Sequence, residues 1–423
     1  MAKIHSDKDV IYVEGKLYTQ DVRFFSQELN RTTGKKFYKD ITLDFSVCES
    51  LFPSFMLPSI ALCRKARADH KDLDFTIVHP DEANLRRLFH NANWAHLIND
   101  QEYQETTYAG GDHVPAVSFK DGDTQDQVTD KIMDTIMGRL ATSERKALHT
   151  LEWSINEIMA NVLTHANSSL GGLAQASVYP SNNSVEFTVA DAGIGIRRSL
   201  GEKDDAQALE KAIQEGVTRD PEAGQGNGLY GTYRAATLTQ GMFEIVSYHG
   251  HLLCKGDEVK PLNLADHAFF PGTSVTVKIG CDDPEALTKA LQFSGKIHEM
   301  GHDYIEKRYG TDQEGLYRFV MKDESSFFGN RESGKEIYHK LYTLMKAEKG
   351  SIIEVDFEGI GIISSSFADE AFGKLFRDCG PMVFMGRIKF KNIDHTIQGL
   401  IDRAITQRFQ RNGLVNGSDS SAT

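Results

Sequence analysis

The chain has 423 residues, with 47 Lys and Arg against 60 Asp and Glu, a formal charge of −13. That length accommodates about two to four domains, and 40% hydrophobic with 25% charged residues is an ordinary globular composition. The acidic balance argues against a general basic surface for nucleic acid, and 36 Gly with 10 Pro along the chain exclude a collagenous or low-complexity protein.

No apolar run approaches the roughly 20 residues that cross a bilayer. The polar start, residues 1–10, lacks the apolar core of a signal peptide, so a cytoplasmic location without a membrane partner is expected. Cys48, Cys63, Cys254, Cys281 and Cys379 form no CxxC pair, which favours buried free thiols over a disulfide framework or a thiolate zinc site.

Residues 1–104 read as a small α/β domain, with strands at 41–45 and 75–78 and a helix across 60–68. Residues 105–142 carry Gly110-Gly111 and Asp121-Gly122-Asp123. They read as a linker that passes into a leading helix near Gln125. Residues 143–281 open with Leu148, Leu151, Ile155, Ile158 and Val162, three and four apart on one face of a long helix. Strands follow at 185–189, 243–246 and 274–279, and 191–231 is rich in glycine and charge without firm periodicity. A helical connector is expected over 282–312, with its helix at 284–307. Residues 313–415 then give a strand at 317–321, a helix opened by a Ser333/Glu336 capping box, a strand at 352–357 and a helix from Phe367. Residues 416–423 have the composition of a disordered tail.

The first and last blocks look duplicated. Leu43-Asp44-Phe45 and Val355-Asp356-Phe357 match, and Ser54-Phe55 and Ser366-Phe367 each follow ten residues after the Asp.

Three motifs in the central block carry chemistry. Glu157, Asn161 and His165 lie one turn apart on the long helix, with Ser154, Thr164 and Ser168 on the same side. Alone, this stripe is better read as a solvated helix face. Asp191-Ala192-Gly193-Ile194-Gly195 leaves the strand at 185–189. A carboxylate there can accept a hydrogen bond from an exocyclic amine, and the glycines let backbone approach a flat ring. Gly224, Gly226, Gly228 and Gly231, with Leu229 among them, precede a helix whose first amides can hold anionic oxygens. The loop is neither a Walker A sequence, which needs GK[ST], nor a dinucleotide fingerprint within a βαβ unit.

Taken in this order, with Thr273 before a later strand, the motifs over 147–280 resemble the GHKL ATPases, whose fold is a two-layer α/β sandwich. The resemblance implies an ATP and Mg²⁺ site. Asp191 would take the adenine amino group with Thr273 in support, Gly193 and Gly195 would line the base pocket, and Asn161 would ligate Mg²⁺. Residues 197–224 would form a lid, and Gly224, Gly226, Gly228, Leu229 and Gly231 would follow the phosphates. Glu157 would be the general base, acting on water or on a substrate hydroxyl. Asn161, His165 and Ala166 are most similar to the anti-sigma-factor-kinase branch of the family. The phosphoacceptor box of sensor kinases and the transducer domain of gyrase and MutL are not recognisable.

The flanking blocks resemble STAS-like domains, the fold of anti-sigma-factor antagonists. The last block carries this best, through Ile352 to Gly359 and then Ser364, Ser365 and Ser366. In that family a Ser at the strand-to-helix junction can be phosphorylated, whereas Ser366 as a plain helix cap, with Asp369 three residues on, is the simpler expectation.

His298, Glu299 and His302 satisfy HExxH. The metzincin extension fails at Ile305 and Arg308, and the third ligand would have to be Glu306 or Glu314, so coincidence is favoured over zinc. The expected protein is therefore an α/β (α+β) chain with a GHKL sandwich between two STAS-like domains. It would act as an ATP-dependent regulatory switch with hydrolysis or phosphoryl transfer, and its partners would be protein subunits, a regulatory protein or a second copy. The rivals are a non-catalytic ATP-binding scaffold and an ATPase subunit of a bacterial anti-phage defence or stress system.

Overall fold

The computed structural model describes residues 2–35, 38–107, 111–140, 144–218, 226–256, 258–264, 267–297, 303–347 and 350–415. The protein is mixed α/β and divides into two compact units, Met1–Thr135 with Thr150–Glu299, and Ile136–His149 with Met300–Thr423.

The first unit begins with a hairpin, β1 (Lys3–Asp7) and β2 (Val10–Lys16). Then come α1 (Val22–Asn30), β3 (Asp40–Asp44), β4 (Cys48–Ser50), α2 (Pro53–Asp69) and β5 (Asp74–Val78). Strands β2, β3 and β5 are parallel neighbours in that order, and β4 adds to β2. Two helices, α3 (Ala83–Asn91) and α4 (Trp94–Ile98), end this part.

A seven-stranded sheet follows in the same unit. It is built from β6 (His113–Phe119), β7 (Gly172–Tyr179), β8 (Ser184–Asp191), β9 (Met242–Tyr248), β10 (Gly250–Lys255), β11 (Glu258–Asn263) and β12 (Phe270–Gly280). Its order is β11-β10-β9-β12-β8-β7-β6, antiparallel throughout. Between its strands lie α5 (Gly122–Arg139), α6 (Arg145–His165), α7 (Gly195–Leu200), α8 (Asp205–Ala212) and α9 (Gly228–Leu238).

Helix α2 is buried on every side over Phe55–Cys63 and turns polar from Arg64 onward. Phe55, Met56, Leu57, Ile60, Leu62 and Cys63 are all buried, the pattern of a helix covered on every side. It packs across β7, β8 and β12. The N-terminal core runs without a break into Ala116, Leu173, Ala190, Ala192, Val246 and Phe270 of the large sheet and its flanks. Side chains alternate along β8 with period two. Ala190 faces this shared core, while Val189 and Asp191 face a cavity on the other side.

The linker expectation fails at β6. Residues 113–119 form an edge strand on β7, with an irregularity between Val114 and Val117 that lets Pro115 sit without a ladder amide. Asp121-Gly122-Asp123 is a helix start, where Asp121 Oδ1 accepts the Thr124 N–H at 2.9 Å. The single connector helix also fails. Helix α10 (Pro284–Ala290) is followed by a hairpin of β13 (Gln292–Phe293) and β14 (Lys296–Ile297), and α11 (Tyr304–Tyr309) comes later. Ser294 and Gly295 both take positive φ, 47° and 81°, the geometry of a tight hairpin turn that no helix tolerates.

In the second unit, β15 (Leu316–Val320), β16 (Ile352–Asp356) and β17 (Ile388–Lys391) form a parallel sheet in sequence order. After β15 come α12 (Met321–Glu324) and α13 (Arg331–Ala347). After β16 come α14 (Ser365–Ala368), a π-turn over Asp369–Gly373, α15 (Lys374–Cys379) and α16 (Pro381–Arg387), and α17 (His395–Val415) follows β17.

Both outer blocks thus share a strand-helix-strand-helix-strand path with parallel strands in chain order. They share finer detail too. Asp44 Oδ1 accepts the Ser46 N–H and Asp356 Oδ1 accepts the Glu358 N–H, each at 2.9 Å. At a constant offset of 312 residues, Ile41, Leu43, Phe45, Leu51 and Phe55 correspond to Ile353, Val355, Phe357, Ile363 and Phe367, and all ten are buried.

Two caps differ from expectation. Helix α13 starts before Ser333, because Asn330 Oδ1 accepts the Ser333 N–H at 2.9 Å. At α14 the cap is Ser364, whose Oγ accepts the Phe367 N–H at 3.1 Å, while Asp369 pairs with Arg408 at 2.7 and 2.8 Å instead of closing a capping box. Ser364→Ala is therefore expected to cost about 1 kcal/mol, and Ser365→Ala, at an exposed position, almost nothing. Urea unfolding of the two variants measures the difference, and equal midpoints would refute the cap.

Candidate functional site

Asp191 ends β8 directly opposite Thr273 of β12. Its Oδ1 accepts the Gly193 N–H at 2.7 Å. Burial drives its carboxyl from 3.8 up to about 7, against the pull of the Gly193 and Thr273 amides and the charge of Lys65. A carboxylate desolvated at a cavity wall is unfavourable unless a ligand uses it.

The turn after Asp191 is fixed from two sides. Ile194 N–H donates to the Ala166 carbonyl at the end of α6, at 2.8 Å, and a Cβ on Gly193 would overlap that carbonyl. Gly195 has φ +73°, and a side chain there would enter the Tyr248 ring and Ser247. Ser247 Oγ accepts the Ile196 N–H at 3.0 Å and donates to Gly272 O at 2.8 Å, tying α7 to the start of β12.

Helix α6 brings Glu157, Asn161, Thr164 and His165 to the same cavity. The expected solvated stripe is thus partly interior: Ser154 is fully buried, and burial pushes the Glu157 carboxyl above its ordinary 4.5. Ser168 lies beyond the helix end. The Asn161 amide nitrogen is buried with no hydrogen-bond partner among the described residues.

The glycine loop closes the third wall. Asn227 Oδ1 accepts the Gly216 N–H at 3.1 Å, and Gly226, at φ +72°, lies against the backbone of Gly216 and Val217. Helix α9 starts at Gly228, where any Cβ would overlap the Glu157 carboxylate. The cavity has a volume of about 410 Å³, within the range of small-molecule sites.

Glu157, Asn161, His165, Asp191, Gly195, Gly226, Gly228, Leu229 and Thr273 all line this cavity. Gly193 and Gly231 do not. Gly193 serves the turn described above, and Gly231 gives room to the Trp153 and Phe293 rings. Gly224 lies outside the described residues, as do the last part of the expected lid (219–224) and all of 298–302, including His298, Glu299 and His302. Glu306, a candidate third zinc ligand, pairs with Arg145 at 3.4 Å. Among the described residues no cluster of three or more His, Cys, Asp or Glu is placed to hold a metal ion.

Several lining residues carried no motif. Phe293 reaches the cavity from the β13–β14 hairpin and packs on Trp153, with ring centroids 5.8 Å apart. Val189 and Val275 alternate with Asp191 and Thr273 on their strands, so strand period was the signal that could have found them.

A family model described as a STAS-like domain of unknown function (DUF4325) matches residues 333–398, from α13 to the start of α17. That part of the chain is STAS-like. No curated protein matches the chain. No helix among the described residues is long and apolar enough to cross a membrane.

Proposed function

We propose that the cavity between α6, β8, β12 and α9 binds ATP with Mg²⁺, and that the protein is a nucleotide-dependent regulatory switch of GHKL type. The observation that carries this reading is Asp191, a buried carboxylate held by two backbone amides at the wall of a ligand-sized cavity. Asn161, Glu157 and a glycine loop share that cavity, as the resemblance of the sequence requires.

The residues fit the nucleotide and the ion. Asn161 lines the cavity, and its amide nitrogen, with no hydrogen-bond partner among the described residues, can donate to a phosphate oxygen while the amide oxygen serves a cation. Gly228 opens α9 at the cavity wall, where the helix N-terminus favours anionic oxygens. Mg²⁺ would be held by Asn161 together with phosphate oxygens and would offset their charge. Asp191 accepts the adenine amino hydrogen, and Gly195 leaves the base room. Glu157, desolvated beside Gly228, takes a proton from the attacking hydroxyl of water or of a protein side chain. The STAS-like blocks are the surfaces through which the nucleotide state reaches a protein partner.

Incubation of the purified chain with γ-labelled ATP tests the reading, following free phosphate and label on protein together. Asn161→Ala is expected to lose Mg²⁺-dependent binding and with it both products. Absence of saturable adenine-nucleotide binding by the native chain would overturn the proposal.

A further inference from the structure

We infer that Lys65, on helix α2 of the N-terminal block, is a positioning residue of the nucleotide cavity, holding the Asp191–Gly193 turn from the side of the sheet opposite the cavity. This rests on the ATP-binding reading above.

Lys65 Nζ donates to the Ala192 carbonyl at 2.9 Å. Ala192 sits between Asp191, which faces the cavity, and Gly193, whose amide Asp191 accepts. The turn is thus held at three points: by the Ala166 carbonyl from α6, by Thr273 across the ladder, and by Lys65 from α2. The first two belong to the central block, and the third crosses from the N-terminal block.

The ammonium also faces the Asp191 carboxyl electrostatically and favours its charged form. A charged Asp191 accepts from adenine, whereas a neutral one presents a donor to a donor. Lys65 therefore acts twice on the same group, by fixing the backbone that carries it and by favouring its acceptor state. Helix α2 keeps the stem in place, since its neighbours Leu62 and Cys63 are buried in the core shared with the sheet.

Little else explains a half-buried lysine here. It makes no carboxylate ion pair among the described residues and spends its hydrogen bond on a main-chain carbonyl. On this inference the N-terminal block is an integral wall of the nucleotide site, and any shift of α2 is felt at the adenine contact.

The test compares Lys65→Met and Lys65→Arg by calorimetry with ATP, and by thermal unfolding without nucleotide. Lys65→Met is expected to bind ATP about tenfold more weakly, the scale of one charge-assisted contact, while its nucleotide-free melting point stays near that of the native chain. Lys65→Arg, which keeps charge and donor, is expected to restore most of the affinity. In an Asp191→Asn background the Lys65→Met loss should shrink, because the effect passes through Asp191.

Native-like ATP affinity in Lys65→Met would overturn the inference and leave the ATP reading standing. Equal losses in both Lys65 variants, matched by falls in melting point, would overturn it in favour of a structural lysine. Absence of ATP binding by the native chain would remove the ATP reading, and this inference with it.

Discussion

Asp191→Asn is expected to bind ATP about 10- to 100-fold more weakly than the native chain, yet to melt at a higher temperature at alkaline pH when no nucleotide is present. The affinity loss follows from replacing a buried acceptor by a group that presents a donor to the adenine amine, at about 1–3 kcal/mol. The stability gain follows from linkage. The folded-state value, about 7, lies above the ordinary 3.8 because burial disfavours the carboxylate. The stabilising contribution of that carboxyl is therefore complete below pH 3.8 and is lost as pH rises through 7. Above pH 8 the folded chain carries the charge at a cost of about 4 kcal/mol.

Asparagine carries no such charge. Part of the gain is offset by weaker bonds to the Gly193 and Thr273 amides, each about 1 kcal/mol. Thermal unfolding at pH 8.5 should show the variant several degrees above the native chain, with the gap closing towards pH 4. A variant that melts lower at every pH would make Asp191 a structural group. Equal calorimetric affinities for ATP and GTP in the native chain would remove adenine from the site, since the guanine carbonyl sets an acceptor against the carboxylate.

Glu157→Gln is the second large effect: ATP affinity near native, and turnover reduced about 100-fold or more. Glutamine is chosen because Gly228 lies directly on this side chain, and an isosteric amide keeps that packing where alanine would leave a gap. The general base must be ionised, and burial raises its pKa. Native turnover should therefore climb with pH through a midpoint above 4.5, and the residual rate of the variant should lack that limb. Steady-state phosphate release measured against pH checks both. A variant with native turnover would exclude Glu157 as the base and favour ATP as a scaffold element.

How much of this was legible in the sequence varies by element, for physical reasons. Strand β8 was readable because apolar Val185, Phe187 and Val189 alternate with Glu186 and Thr188, and the pattern stops at Asp191. The same holds for β16, which ends on Asp356. Strand β6 was hidden because Pro115 and the neighbouring polar, glycine-rich stretch carry a linker's composition, and its pairing with β7 depends on a partner some 60 residues away.

The β13–β14 hairpin was hidden for another reason. Each strand is two residues long, too short for any period to register, and the one readable signal was the Ser294-Gly295 turn. At the site, Asp191, Asn161 and Glu157 announced themselves by chemistry and spacing. Phe293 and Lys65 did not, because each enters from an element whose proximity to the motifs is a product of tertiary packing alone. Ser366 as a cap was a near miss: the hydroxyl two residues earlier reaches the Phe367 amide.

Helix α2 also sets a timetable for biosynthesis. Its buried stretch, Phe55–Cys63, is in place once the helix ends at Asp69, but the strand that finishes its cover, β12, ends at Gly280. At about 5–20 residues per second, translation of the roughly 210 residues between them takes about 10–40 s. Throughout that interval the side of α2 that β7, β8 and β12 cover in the finished protein has no large sheet to rest on.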